Sequence, residues 1–162
     1  MINEDHIYSP LVKFGRARVI AFEPLVEKAR ERAESDSNVV MLNNFVGSGE
    51  TGRFHVTRFD PASSLYEPDS GFLLQFSALK EMCEVANVGI VATTRLDDII
   101  VIGNCDILKI DGQGGELDVL RGGSRVLITV ACVHCKAKFS PVYTGQPLFS
   151  DVDNYLRALA SS

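Results

Sequence analysis

One stretch limits what this chain can fold into more than any other: Asp106 to Gly123, D-I-L-K-I-D-G-Q-G-G-E-L-D-V-L-R-G-G. Ile107, Leu108 and Ile110 form an apolar run too short for a helix and suited to a parallel strand covered on both faces. A glycine-rich turn, Gly112-Gln113-Gly114-Gly115, follows at once. Leu117, Leu120 and Leu127 then recur at helical spacing, with Val119 and Val126 widening the stripe. Glu116 and Asp118 fall in the first turn and Arg121 and Arg125 later, the polarity that a helix dipole favours. In open α/β sheets, ligands bind beyond the carboxyl ends of the strands. Asp111 stands at that end, which makes it the first candidate for chemistry.

The flanking segments repeat this grammar. Arg18–Glu23 reads as a buried strand ending in an acid. Pro24 then opens a helix with Leu25, Val26, Ala29 and Ala33 on its apolar stripe. Asn38–Val46 is a second strand, and Arg53–Phe59 a half-exposed third. Asp60–Gly71, rich in Pro, Ser and Asp, is a loop of the kind that contacts substrates. Phe72–Val85 has helical spacing, Val88–Thr94 reads as a strand, and Leu96–Ile100 as a short helical turn. Ile128–Phe139 is a further strand. Ser150, with Asp153 three residues on, is placed to cap a last helix carrying Val152, Tyr155, Leu156 and Leu159. Residues 1–17 show no periodic pattern and read as an irregular lead-in. Strands alternating with helices predict a single α/β domain with a mainly parallel sheet.

Charge and composition exclude several function classes. A chain of 162 residues with a net charge of −5 lacks the clustered Lys and Arg that a nucleic-acid backbone needs. The polar, acidic start has no secretory pattern, and no apolar run reaches the roughly 18 residues of a membrane span. A cytoplasmic location without membrane partners is the expectation. Cys132 and Cys135 form a C-x-x-C, but no second pair lies at zinc spacing, and the run around them reads as a strand, where residues three apart face opposite ways. Reduced, partly buried thiols are expected there, and no metal.

The glycines and carboxylates carry the chemistry. Gly112-Gln113-Gly114-Gly115 fails the dinucleotide fingerprint, since Leu117 stands where the last glycine belongs and no acid follows about 20 residues on. Gly112 and Gly114 instead suit a sharp turn that brings a helix start near a ligand. Asp111 can accept a proton, hold a hydroxyl or ammonium group, or cap its own helix. Lys109 shares its strand face and is expected in an ion pair. Glu23, at the end of its strand, either accepts hydrogen bonds from ribose hydroxyls or charges a helix start, and spacing leaves both open.

The stretch D-I-L-K-I-D-G-Q-G-G-E-L-D-V-L-R-G-G resembles the signature of the FkbM family of S-adenosylmethionine-dependent methyltransferases. Ala21-Phe22-Glu23-Pro24, Arg95-Leu96-Asp97-Asp98-Ile99 and Phe139–Leu156 (F-S-P-V-Y-T-G-Q-P-L-F-S-D-V-D-N-Y-L) resemble three further blocks of that family, in order. The resemblance implies a Rossmann-like class I methyltransferase sheet with helices on both faces. It implies S-adenosylmethionine as cofactor and a small-molecule or glycan hydroxyl as methyl acceptor. It assigns Glu23 to the cofactor's ribose, Asn44 and Ser48 to its adenine, and Asp111 to its methionine end and the acceptor. Gln113 and Glu116 belong to the same catalytic motif.

This chain differs from the family pattern at two places. Met1–Ala17 holds one glycine, Gly15, and no D-x-G-A-N-x-G loop, so the sheet is expected to lack the family's first strand. Lys136-Ala137-Lys138 stands where the family tends to carry glutamates, which inverts the charge beside the acceptor. The alternative expectation is a truncated, non-catalytic module that keeps the scaffold for binding or assembly. Under either reading, an exposed sheet edge suits self-association into a homo-oligomer.

Overall fold

The computed structural model describes residues 9–24, 29–30 and 39–161. The chain divides after Phe45 into two compact units. In the first, Ser9–Lys13 forms a helical turn (α1), which replaces the irregular lead-in expected there. It ends at Gly15, whose φ of +64° is a left-handed conformation open to glycine. Val19–Phe22 (β1) pairs in parallel with Val39–Leu42 (β2), from Val19 opposite Val39 to Phe22 opposite Leu42. The Glu23 N–H extends this ladder to the Leu42 carbonyl at 2.9 Å. Of the helix expected after Pro24, Ala29 and Arg30 are helical; its other positions lie outside the described residues.

The second unit holds two more pairs of strands. Thr51–Thr57 (β3) and Val85–Ala92 (β4) form an antiparallel pair with an irregularity at Val56/Thr57. Between them lie two short helices, Ser70–Leu73 (α2) and Ser77–Met82 (α3). The single helix expected over Phe72–Val85 is therefore broken around Gln75. Asp69 accepts from the Phe72 N–H at 2.9 Å and starts α2. Leu73 and Cys83 pack with Ala62 into a small core flanked by Phe72, Leu79 and Val142.

Ile107–Ile110 (β5) and Cys132–Cys135 (β6) form a parallel pair in register. Two helices connect them, Glu116–Arg121 (α4) and Ser124–Leu127 (α5). The leucine stripe read as one helix thus breaks at Gly122-Gly123. Both glycines sit where a side chain will not fit: a Cβ on Gly122 would collide with the Gly47 carbonyl, and one on Gly123 would lie 2.9 Å from the Leu96 side chain. Leu120 is completely buried and Leu117 nearly so, each contributing about 1.5–3 kcal/mol of apolar burial. The strand expected over Ile128–Phe139 is confined to β6, with Ile128 largely exposed. Ile107 is also 41% exposed, so β5 is not covered on both faces.

The last helix, Phe149–Ala160 (α6), is capped two residues earlier than expected. Leu148 precedes it, and its N–H donates to Asp151 Oδ2 at 2.8 Å. Ser150 and Asp153 lie inside the helix, where Asp153 pairs with Arg157 at 2.8 Å. Among the described residues the architecture is mixed α/β, with three two-stranded sheets of which two are parallel. It is compatible with a methyltransferase fold. No helix among these residues is long and apolar enough to cross a membrane.

Candidate active site

The parallel register of β5 and β6 determines what stands at their carboxyl ends. Ile110 lies opposite Cys135, and the Lys136 N–H continues the ladder to the Ile110 carbonyl at 3.1 Å. Asp111 and Lys136 therefore leave the sheet side by side. Lys136 Nζ reaches Asp111 Oδ1 at 3.2 Å. Gln113 Nε2 donates to the same oxygen at 3.2 Å. Oδ2 of Asp111 is thus the oxygen without a partner among the described residues. The helix-capping role considered for Asp111 does not hold, since Gly115 precedes α4 without any side-chain cap.

The turn itself is held from several sides. Gln113 has a φ of +49°, the one non-glycine residue with positive φ among those described, a conformation that costs energy and persists only under constraint. The constraint comes from Ser64, whose hydroxyl donates to the Gln113 carbonyl at 2.6 Å. Gly114 has a φ of +99°, and a Cβ there would lie 3.3 Å from the Tyr143 ring. Its N–H donates to Glu116 Oε2 at 2.9 Å. Glu116 is 2% exposed, and its Oε1 has no partner, as is true of Gln146 Nε2 nearby in the fold of the turn. A buried carboxylate oxygen without a donor is expensive unless something arrives to satisfy it.

Two loops close around this turn. The Asp69 N–H bonds the Val142 carbonyl at 2.9 Å, and the Thr144 N–H bonds the Glu67 carbonyl at 2.8 Å. Tyr143, 1% exposed, donates from its hydroxyl to the Ala62 carbonyl at 2.8 Å. Tyr66 donates to Asp118 Oδ2 at 2.8 Å, which anchors the first loop on α4. Burial raises the Tyr143 phenol well above its ordinary range, with Cys83, Glu116 and Asp111 adding to the rise. Burial also raises Tyr66, and its hydrogen bond to Asp118 adds to this. Cys135 is pushed up to about 11 by burial and by the Glu116 and Asp111 carboxylates. At neutral pH these three groups keep their protons.

The residues singled out from sequence fall into two sets. Asp111, Gln113 and Glu116 are brought together on one turn. Ser48 lies in the same unit, exposed, with its hydroxyl 3.3 Å from the Glu50 N–H. Glu23 and Asn44 belong to the first unit, just past the carboxyl ends of β1 and β2. Asp97 has a structural role. It accepts from the N–H groups of Arg125 and Val126, each at 3.1 Å, and from Ser124 Oγ at 3.2 Å, and so caps α5. Burial works against its charge, but these hydrogen bonds and Arg125 outweigh it and hold the carboxyl below its usual range. The Asp111 partnership with Lys136 depends on strand register, and sequence spacing carries no trace of it. A surface hollow lined by Leu117, Arg121, Gln146 and Tyr155 borders the turn, and another beside Asp97 touches none of its residues. Among the described residues no cluster of His, Cys, Asp and Glu is placed to hold a metal.

A strand end, a glycine turn with convergent acids and two knitted loops thus meet at one place in the second unit. The methyltransferase FkbM domain model matches residues 4–161, and the chain belongs to this methyltransferase family. No curated protein and no solved structure matches it.

Proposed function

We propose that this chain moves a methyl group from S-adenosylmethionine to a hydroxyl oxygen of a small molecule or glycan, on a class I, Rossmann-like sheet. The observation that carries the reading is the convergence of Asp111, Gln113 and buried Glu116 on one turn beyond a parallel strand pair, where α/β sheets bind ligands. The donor set suits the cofactor. Glu23 supplies a carboxylate for ribose hydroxyls, Asn44 and Ser48 an amide and a hydroxyl for adenine, and the unsatisfied Glu116 Oε1 a complement to a cationic group. When bound, the cofactor provides an activated sulfonium methyl, so positioning accounts for most of the catalysis.

The chain's own residues then have two tasks. Asp111 Oδ1 is fixed by Gln113 and Lys136, which turns Oδ2 toward use as the atom that receives the acceptor hydroxyl's proton. Gln113 and Glu116 hold the turn in its left-handed path and keep the helix start close to the ligand. Radiolabelled methyl transfer across a panel of glycosides and small alcohols tests this. Asp111→Asn is expected to cut turnover by about 10²–10⁴-fold while the circular dichroism spectrum is unchanged. Undiminished turnover in that variant would remove Asp111 from the chemistry. A folded chain inert toward every acceptor would favour the binding-module alternative.

A further inference from the structure

Lys136 and Lys138 leave β6 toward the same turn, but their surroundings differ. The charge of Lys136 is met by Asp111 at 3.2 Å. The partner of Lys138 is the Gln113 amide oxygen at 3.4 Å, a neutral group. Among the described residues no carboxylate lies within ion-pair distance of Lys138, although it is partly withdrawn from solvent. A partly desolvated ammonium with a neutral partner is a costly arrangement that an incoming anion relieves.

Apolar surface adjoins this cation. Phe139, 78% exposed, stacks on Phe149, 44% exposed, with ring centroids 4.8 Å apart. The Phe149 N–H bonds the Lys138 carbonyl at 2.7 Å, so the ring pair and the lysine share one stretch of backbone. Two large rings left in water beside polar groups mark a contact surface. Aromatic faces suit the C–H face of a sugar ring.

We propose that the acceptor is an anionic sugar, its acid group taken by Lys138 with Lys136 alongside and its ring resting against Phe139 and Phe149. This rests on the methyl-transfer reading and narrows its substrate class. A carboxylate or a phosphate meets the same lysine chemistry, and a neutral sugar of equal size does not.

Direct binding tests the proposal without any methyl transfer. The full chain is titrated by NMR with methyl β-D-glucuronide, with glucose 6-phosphate and with methyl β-D-glucoside. At least one of the two anions is expected to bind about tenfold tighter than the glucoside, the gain typical of a charge-assisted contact. Lys138→Gln removes that preference and leaves glucoside affinity unchanged, Lys138→Arg retains it, and Phe139→Ala weakens all three sugars alike. Equal affinity for anionic and neutral sugars, binding of none of them, or an intact preference in Lys138→Gln overturns the proposal. The methyl-transfer reading fails separately, if an anionic sugar binds with this preference yet is never methylated.

Discussion

The β5–β6 pair and the β3–β4 pair are both two-stranded sheets of the same unit, but they are put to different use. In β5–β6 the strands run in parallel, so both carboxyl ends emerge together and deliver Asp111 and Lys136 to one place. In β3–β4 they run antiparallel, so the end of one strand meets the start of the other. The Arg58 N–H bonds the Glu84 carbonyl at 2.9 Å, and their side chains pair at 3.1 Å. That clamp closes the pair at the end of β3 and the start of β4. The hairpin leaves Val88 and Ile90 in solvent, whereas Ile110 and the helix after it are buried. Strand direction decides where functional groups collect, and burial decides which half tolerates change.

This contrast makes the glycine turn fragile and the hairpin permissive. The largest stability effect is expected at Gly114→Ala. A left-handed φ and a Cβ 3.3 Å from Tyr143 together cost about 2–3 kcal/mol, read as a lowered urea midpoint. Asp97→Ala comes next, at about 1–2 kcal/mol for a lost cap. Its pH dependence has a definite sign. The folded carboxyl is held below its usual range, so its stabilisation is complete above the unfolded value, near pH 4, and fades as pH falls through the lower folded value. Wild type should therefore lose its advantage over Asp97→Ala in acid. Ile90→Thr on the exposed face of β4 is expected to shift stability by less than about 0.5 kcal/mol. A cost there as large as that of Gly114→Ala would erase the contrast.

Much of the parallel half was readable from the chain. The apolar run 107–110, the acid after it and the glycine turn came out as strand, strand end and turn, because each is set by local residues. The break in the leucine stripe was not, because Gly122 and Gly123 answer to Gly47 and Leu96, distant partners that periodicity ignores. The cap of α6 was misplaced by two residues because Ser150 and Asp153 match the capping pattern, whereas Asp151 makes the bond. The expectation of mainly parallel strands matches β1–β2 and β5–β6, and β3–β4 is the antiparallel exception. Of the candidate site, the motif alone brings Asp111, Gln113 and Glu116 together, whereas the pairing of Lys136 with Asp111 comes from strand register and is invisible in spacing.

The central claim is that the chain binds S-adenosylmethionine as its methyl donor. Calorimetric titration with S-adenosylmethionine and with its demethylated product tests it most directly. The account predicts saturable one-to-one binding of both by the wild-type chain, weakened about tenfold or more in Glu23→Ala, the loss expected for a carboxylate–hydroxyl contact. A folded wild-type chain that binds neither would contradict it.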